Sequence, residues 1–506
     1  MSHPLSARPC SSLHACPTVA ETTVHEPVHA TVDDGVEAHH HKTDSGPVTS
    51  WRFGLVLGVI AMGALAIRLY TLRTIADFTP DGGDPFWYHT QANALVEGHG
   101  FIDPFIRRAT GQLVPGAQHP PLYTVWLSIA SGLGFTSYDA HKVMSCLAGV
   151  LAVVLIGIAG RAVAGRRVGL VAAGLAAIYP PLWVIDGLLW PEGLFAATVA
   201  LTIWAAHRWV SSPDLRGAAV LGIVIALSTL TRGEAVGFLG LLVVPLFWFV
   251  GRLRGRVLLA HLAVAAVAFA GLVAPWSIRN ATQFERFMPV STNTNEVFVY
   301  ANNPYAFGLA DQSFRCAPNP RYPSGITLDQ TGTTHLGFWH FPWEDYLRCR
   351  DGEPPGDVSL KSAHWRSVGT TYATNHISRL PVVLAARLGR SFDLYRPFQG
   401  AQLLSFEGRN VSVSKAGVWS WWSVALLGVA GGFVLRRRRI TLVPLASTLA
   451  LVVITSVYAY GSPRFRTPVD VAAVILAAVA LDGLARGRTR PVRNTRTATR
   501  AHVDPQ

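Results

Sequence analysis

The sequence predicts an all-α membrane protein that crosses a bilayer about ten times. The chain has 506 residues, of which 50% are hydrophobic and only 14% charged, whereas soluble domains contain roughly 25% charged residues. The hydrophobic residues form long continuous blocks, for example at 53–70, 143–162 and 257–276. About 20 apolar residues can span the hydrocarbon core, and soluble helices rarely run so far without a charged face. Composition and block length therefore exclude a soluble globular protein.

The net charge of +13 does not indicate a nucleic-acid partner, because the basic residues lie in short clusters between the apolar blocks. Cytoplasmic loops of membrane proteins carry such an excess of arginine and lysine. We therefore assign the basic clusters to the cytoplasm. They are Arg161, Arg166 and Arg167; Arg252, Arg254 and Arg256; Arg436 to Arg439; and Arg486, Arg488, Arg490, Arg493 and Arg496.

The loop charges then set the order of the predicted spans. Residues 1–50 contain no apolar run and predict a disordered cytoplasmic tail. Starting from that side, alternating spans place every basic cluster inside. The predicted spans lie at 53–71, 143–162, 168–186, 191–209, 217–231, 235–250, 257–277, 417–435, 440–458 and 468–485.

This order divides the chain between the tails into three parts. An N-terminal transmembrane module, 51–278, includes a first outer loop at 72–142. An extracytoplasmic loop or subdomain, 279–414, separates it from a C-terminal transmembrane module, 415–485. A basic cytoplasmic tail, 486–506, ends the sequence.

Two segments predict outer juxtamembrane helices. Residues 122–135 are apolar but short, and counting them as a full span would reverse every later loop. We predict an interfacial or re-entrant helix that begins at His119-Pro120-Pro121, because proline is favourable at a helix start. The amphipathic pattern at 362–388 predicts a helix on the membrane surface, and a small soluble subdomain is the alternative.

Five cysteines are too few for a disulfide scaffold, but two of them share the large outer loop. Cys316 and Cys349 would both lie in an oxidising compartment, where disulfides form. We predict a disulfide between them, with two free thiols as the alternative.

Ionisable residues concentrate on the predicted outer face, and such residues at membrane depth usually mark a site. Asp81 and Asp84 in the first outer loop are acid or base candidates, although Asp and Gly also form ordinary turns. Carboxylates can activate a hydroxyl, and arginines can hold a phosphate. The remaining candidates on this face are Glu192, Arg232, Glu234, Arg464 and Arg466.

Several short motifs occur in order along the same face. They are Gly83-Asp84-Pro-Phe-Trp-Tyr88-His, His119-Pro120-Pro121-Leu122, Leu230-Thr231-Arg232-Gly-Glu234, Ala274-Pro275-Trp276-Ser-Ile-Arg279-Asn280 and Gly461-Ser-Pro463-Arg464-Phe-Arg466. In order and placement they resemble the GT-C superfamily of integral-membrane glycosyltransferases, especially the branch with protein O-mannosyltransferases and lipid A aminoarabinose transferases. The likeness extends over residues 53–485.

This resemblance implies a glycosyltransferase of the bacterial plasma membrane and cell envelope, with 51–278 as the catalytic module. It would take a mannosyl or pentosyl group from a polyprenyl-phosphate donor and pass it, outside the cell, to a glycan, lipid or protein. The family's catalytic acid in the first outer loop corresponds to Asp84. Tyr88, His119, Glu192 and Glu234 would contact substrate, as would Asp81, Arg232, Arg464 and Arg466. The resemblance makes no cofactor certain and leaves open a divalent metal near the acid.

A rival interpretation is a transporter or flippase of lipid-linked sugars that performs no transfer. Charges within a membrane suit that function too. Against it, the sequence has no internal repeat of half the chain, and its charges collect at one face.

Overall fold

The computed structural model describes residues 47–75, 82–310, 313–320, 322–328, 332–340 and 342–488. Most of each predicted tail, 1–50 and 486–506, lies outside these residues. The described part is mostly helical, with one short pair of antiparallel strands. The predicted all-α fold class is therefore confirmed.

The N-terminal half consists of ten α-helices within the described residues, and several begin at side-chain caps. Ser137 caps α5 and Asp214 caps α9, because their oxygens accept from backbone N–H groups of the first turn. Residues Gly233–Val250 form consecutive 3₁₀ and π turns instead. The helices are α1 (Pro47–Thr74), α2 (Gly83–Val96), α3 (Pro104–Thr110), α4 (Pro121–Gly132), α5 (Tyr138–Ala164), α6 (Arg166–Ile178), α7 (Pro180–Trp183), α8 (Glu192–Ser211), α9 (Leu215–Thr231) and α10 (Gly255–Gln283).

The C-terminal half continues with residues 279–414, which are predicted to lie outside and are called the outer segment below, and with three long helices. Strands β1 (Phe314–Cys316) and β2 (Ile326–Leu328) pair with Arg315 opposite Thr327. The helices are α11 (Asn293–Ala301), α12 (Pro342–Asp351), α13 (Val358–Asn375), α14 (Leu380–Ser391), α15 (Pro397–Leu403), α16 (Val411–Arg437), α17 (Val443–Tyr458) and α18 (Thr467–Arg488).

The predicted number of about ten spans is not confirmed. In the described part of the chain, 6 helices are long and apolar enough to cross a membrane, or up to 7 if the bent pair at 166–188 is one span. Of the other predicted spans, α9 and α17 are apolar but only 17 and 16 residues long, and α8 carries Glu192, His207 and Arg208. The protein is nevertheless a multi-pass membrane protein.

Both predicted juxtamembrane segments form short helices. Helix α4 has 12 residues, well short of the roughly 20 that a span needs. The amphipathic segment is not one helix, because α13 ends at Asn375 and α14 begins at Leu380, with a 3₁₀ turn at Ile377–Arg379 between them.

Small residues allow α5 and α8 to approach closely beside a buried ion pair. A Cβ atom on Gly149 would lie 1.9 Å from the Asp186 carboxylate, and one on Gly193 would lie 2.7 Å from it. Asp186 in turn accepts from Arg68 Nε at 2.6 Å, and both side chains are 1% exposed. A charge within a membrane requires such a partner, so the pair attaches α1 to the bundle.

The outer segment contacts the first outer loop through its backbone. The N–H groups of Thr292 and Asn293 donate to the carbonyl oxygens of Ala117 and Gln118, at 2.9 and 3.3 Å. The Ser291 hydroxyl also donates to the Gln118 carbonyl, at 2.5 Å. We call this set of bonds the loop contact. It holds the start of the outer segment against the residues that precede His119.

Cys316 at the end of β1 and Cys349 in α12 form a disulfide that closes a loop with a sequence separation of 33. In the loop-entropy description, such a crosslink stabilises by roughly 3–4 kcal/mol. We expect Cys349→Ser to lower the free energy of unfolding of the outer segment by that amount, measured by limited proteolysis in urea. Reductant should have the same effect on the wild type and none on the variant. Alkylation of both thiols without reductant would contradict the prediction.

Candidate active site

Asp84 lies in the first turn of α2, close to the helix start. Gly83 before it has φ of 69°, a left-handed conformation that glycine adopts without strain. The N-terminal end of a helix carries partial positive charge, which stabilises a carboxylate there. The Asp84 side chain is 24% exposed, so its carboxylate remains accessible to another molecule.

Arg464 contacts Asp84 from the opposite end of the sequence. It belongs to the 3₁₀ turn Pro463–Arg466 that leads into α18, and its Nη2 lies 3.0 Å from Asp84 Oδ2. The Trp190 ring stacks on the guanidinium, with Cζ 3.9 Å from the ring centroid. This cation–π contact and the ion pair hold Arg464 in one orientation.

Glu192, at the start of α8, joins two arginines. Its Oε1 accepts hydrogen bonds from both Arg464 and Arg232, and Oε2 is buried without a hydrogen-bond partner in the described structure. Arg232 Nε also donates to Glu234 Oε1 at 2.6 Å. Five residues singled out from the sequence, Asp84, Glu192, Arg232, Glu234 and Arg464, thus form one charged network.

The network also includes two residues that the sequence analysis missed. Glu407 Oε1 lies 3.8 Å from Arg464 Nη1, and Glu407 Oε2 lies 2.7 Å from Arg409 Nη2. Trp190 Nε1 donates to the Glu407 backbone carbonyl at 3.4 Å. The sequence offered one weak indication, an acid and an arginine on either side of a glycine shortly before an apolar block.

An aromatic wall forms the other side of Asp84. His119 Nε2 lies 3.4 Å from Asp84 Oδ1, and the His119 ring stacks on Tyr88 with centroids 4.8 Å apart. Trp87 meets His119 edge-on at 4.9 Å, and Tyr123 meets Tyr88 in the same way at 4.8 Å. Tyr88 and His119, both predicted from the sequence, therefore lie beside Asp84.

One further predicted site residue, Arg466, does not join the network. Arg466 is buried in a separate cluster, where Nη1 lies 2.6 Å from Asp393 Oδ2 and Nε lies 3.1 Å from Asp470 Oδ1. Its guanidinium also lies over the Trp421 ring, 4.1 Å from the centroid. Asp81 lies outside the described residues.

The surroundings of Asp84 stabilise its ionised form. Burial raises the pKa of the Asp84 carboxyl, but the interactions with His119 and Arg464 lower it, and the net pKa lies well below the usual value of 3.8. An ionised carboxylate can accept a proton, although a lowered pKa makes it a weak base. Displacing Arg464 would therefore strengthen Asp84 as a base.

The described residues around Asp84 do not make a metal site as they are arranged. In the described ranges, no group of 3 or more His, Cys, Asp or Glu side chains could hold a metal ion. The Asp84 oxygens already face Arg464 and His119. We therefore derive no chemical step through a metal.

Residues 118–278 match the family of dolichyl-phosphate-mannose-protein mannosyltransferases. The predicted resemblance to the GT-C glycosyltransferases is confirmed. The segment that matches this mannosyltransferase family includes His119, Glu192, Arg232 and Glu234 but neither Asp84 nor Arg464. No curated protein sequence matches the chain.

Solved structures of low identity are also similar. The oligosaccharyltransferase of Archaeoglobus fulgidus in its apo form is 14% identical, with a TM-score of 0.47, over 88% of this chain and 52% of that chain. AglB from the same organism, in complex with an inhibitory peptide and dolichol-phosphate, is 16% identical, with a TM-score of 0.46, over 87% and 51%. ArnT from Cupriavidus metallidurans bound to undecaprenyl phosphate is 16% identical, with a TM-score of 0.37, over 87% and 79%. This chain therefore spans about half the length of the archaeal oligosaccharyltransferase.

Proposed function

We propose that this protein is a glycosyltransferase that moves a sugar from a polyprenyl-phosphate donor to an acceptor on the outer face of the membrane. The observation that carries the proposal is the contact between Asp84 and Arg464. One group can accept a proton, and the other can bind a phosphate through two parallel N–H groups. The family matched at 118–278 is named for mannose transfer from dolichyl phosphate, which is a lipid phosphate ester of this kind.

In the proposed reaction an acceptor hydroxyl attacks the anomeric carbon of the donor sugar. The bond from that carbon to the phosphate oxygen breaks, the hydroxyl proton passes to Asp84, and polyprenyl phosphate leaves. Attack from the side opposite the phosphate inverts the configuration. Arg464 stabilises the negative charge that develops on the leaving phosphate. Electrostatic stabilisation of this kind is the largest contribution to catalysis in many enzymes.

The Asp84–Arg464 pair couples donor binding to base strength. In the free protein, Arg464 faces Asp84 and two further carboxylates, those of Glu192 and Glu407. A donor phosphate competes with them for the same N–H groups. When the phosphate takes the N–H groups of Arg464 that now face Asp84, the Asp84 carboxylate loses an interaction that lowers its pKa, and its basicity rises with the donor in place.

The test is sugar incorporation in membranes with and without added lipid-linked donor, scored on accumulation of glycosylated product. Donor-dependent product supports the proposal. A transporter of lipid-linked sugars would instead move donor across the bilayer without forming product. Comparing lipid-linked sugars in a deletion strain and its parent then identifies whether the donor carries mannose or a pentose.

Transfer on the outer face goes together with the predicted topology. In that topology residues 279–414 lie outside and both termini lie in the cytoplasm. This topology rests on the basic clusters, such as Arg436 to Arg439, falling on one side. In intact cells we expect a membrane-impermeant thiol reagent to label Thr374→Cys, which is exposed on α13, but not Arg437→Cys, which is exposed at the end of α16. Labelling of position 437 in intact cells would contradict this topology.

A further inference from the structure

A groove of about 390 Å³ lies in the outer segment, apart from the charged network. The residues after α10 form one side with Arg286 and Phe287, and α13 forms the other with Arg366, Ser367 and Thr370. Its volume is within the range of roughly 300–1,000 Å³ that is typical of small-molecule sites. The outer segment therefore has a concave surface, whose lining residues indicate what it can bind.

The two arginines give the groove its charge. Arg286 and Arg366 are both exposed, and neither guanidinium pairs with a carboxylate among the residues that the structure describes. This contrasts with Arg232 and Arg464, each of which contacts at least two carboxylates. Guanidinium groups without a counter-ion are suited to a phosphate or carboxylate, which they bind with paired N–H groups.

The other lining residues are suited to a sugar. Ser367 and Thr370 are exposed on α13, and hydroxyl groups both donate and accept hydrogen bonds. Phe287 is 66% exposed, so its ring offers an apolar surface at the rim, to which the apolar face of a sugar ring can pack. Small-molecule sites typically combine an apolar surface with a small number of polar groups at fixed positions.

The groove is adjacent to the candidate active site through α11. Asn295 lines the groove, and the next residue, Glu296, accepts from Gln118 Nε2 at 3.3 Å. Gln118 directly precedes His119. Neighbouring residues of a helix project about 100° apart, so the groove and the active-site loop lie on adjacent sides of one short helix.

A second connection runs through the segment between α17 and Arg464. Tyr458, the last residue of α17, donates from its hydroxyl to the Thr294 carbonyl at 2.8 Å. Its ring packs against Phe298 with centroids 4.6 Å apart. The chain continues from Tyr458 to Arg464 within six residues, so both sides of the active site are linked to the helix that borders the groove.

We propose that this groove binds the acceptor and that the acceptor is a glycan carrying phosphate or carboxylate groups. The inference rests on the proposed transferase function and adds the chemical class of the second substrate. The arginines hold the anionic groups, the hydroxyls and Phe287 hold the sugar, and the free hydroxyl end extends past α11 toward Asp84.

The test measures binding of mannose 6-phosphate to the full-length protein in nanodiscs of phosphatidylcholine, with mannose as the uncharged probe. The double variant Arg286→Gln with Arg366→Gln should bind mannose 6-phosphate at least about tenfold more weakly, because two charge-assisted contacts are lost. Arg315→Gln, at an exposed position on β1, should bind like the wild type. In the transfer assay the double variant should raise the acceptor KM more than the donor KM.

Three results would overturn the inference. They are equal binding by the double variant and the wild type, loss of sugar-phosphate binding when phosphatidylglycerol is added to the nanodiscs, and tighter binding of hexaglutamate than of mannose 6-phosphate. The second result would assign the groove to lipid headgroups, and the third to an acidic polypeptide. Arginine-dependent sugar-phosphate binding in a protein that transfers no sugar would refute the transferase proposal and leave the ligand class of the groove standing.

Discussion

Replacing Asp84 by asparagine is expected to lower the initial rate of sugar transfer by at least about 10²–10⁴-fold, the usual contribution of a general base. The asparagine oxygen can still accept from Arg464, whose Nη2 lies 3.0 Å from the present carboxylate. It cannot take the acceptor proton. We therefore expect donor binding to persist while transfer is lost, measured as initial rates at equal membrane expression together with donor binding.

The matched control for this change is Asp139→Asn. Asp139 stands at the start of α5 and is 89% exposed, so the same change there should leave the rate unaltered. Asp81→Asn should have a milder effect if Asp81 forms a turn, since asparagine makes the same local hydrogen bond. Loss of activity in Asp81→Asn with most activity kept in Asp84→Asn would move the base to position 81. Full activity in both variants would refute catalysis by the first outer loop.

Replacing Arg464 by alanine is expected to weaken both donor use and the fold around the site. The guanidinium is 11% exposed and contacts Asp84, Glu192 and Glu407. Removing one partner of a buried ion pair typically costs about 3–5 kcal/mol. We expect a raised donor KM, a lower rate and a lower unfolding temperature, measured by donor titration and by thermal unfolding in detergent.

Two further variants separate charge from geometry. Arg464→Lys keeps the charge but loses the paired N–H groups that match a phosphate, so stability should recover more than donor use. Arg107→Gln removes a partly exposed arginine whose partner, Glu97, is 47% exposed. It should change neither quantity, because exposed pairs contribute little. Wild-type donor use by Arg464→Lys would contradict the proposed phosphate contact.

The fold class and most residues of the charged network could be predicted from the sequence. Long apolar blocks can form few structures other than membrane helices. A charged residue at the end of such a block costs enough free energy to mark a site. Asp84, Glu192, Arg232, Glu234 and Arg464 are all recognisable on that ground. Their pairing was not predictable, because Arg464 meets Asp84 across 380 positions of sequence.

Other features depend on packing that no local pattern reveals. Helix α8 is almost wholly buried among its neighbours. Its residues therefore face other helices, and their composition does not indicate whether α8 spans the membrane. Arg464 and Arg466 differ by two positions in a 3₁₀ turn and therefore point in different directions; one enters the network and the other pairs with Asp393. Glu407 and Arg409 belong to an irregular part of the outer segment, where their charges on either side of a glycine are only a weak indication of a site.

The loop contact has a thermodynamic consequence for ligand binding. Because Thr292 and Asn293 bond to Ala117 and Gln118, the residues before His119 cannot separate from the outer segment without breaking those bonds. Movement of the residues before His119 away from the outer segment therefore costs the free energy of those bonds. If donor binding moves these residues away from the outer segment, a ligand that favours the contact must weaken donor binding, and the donor must weaken binding of that ligand by the same factor.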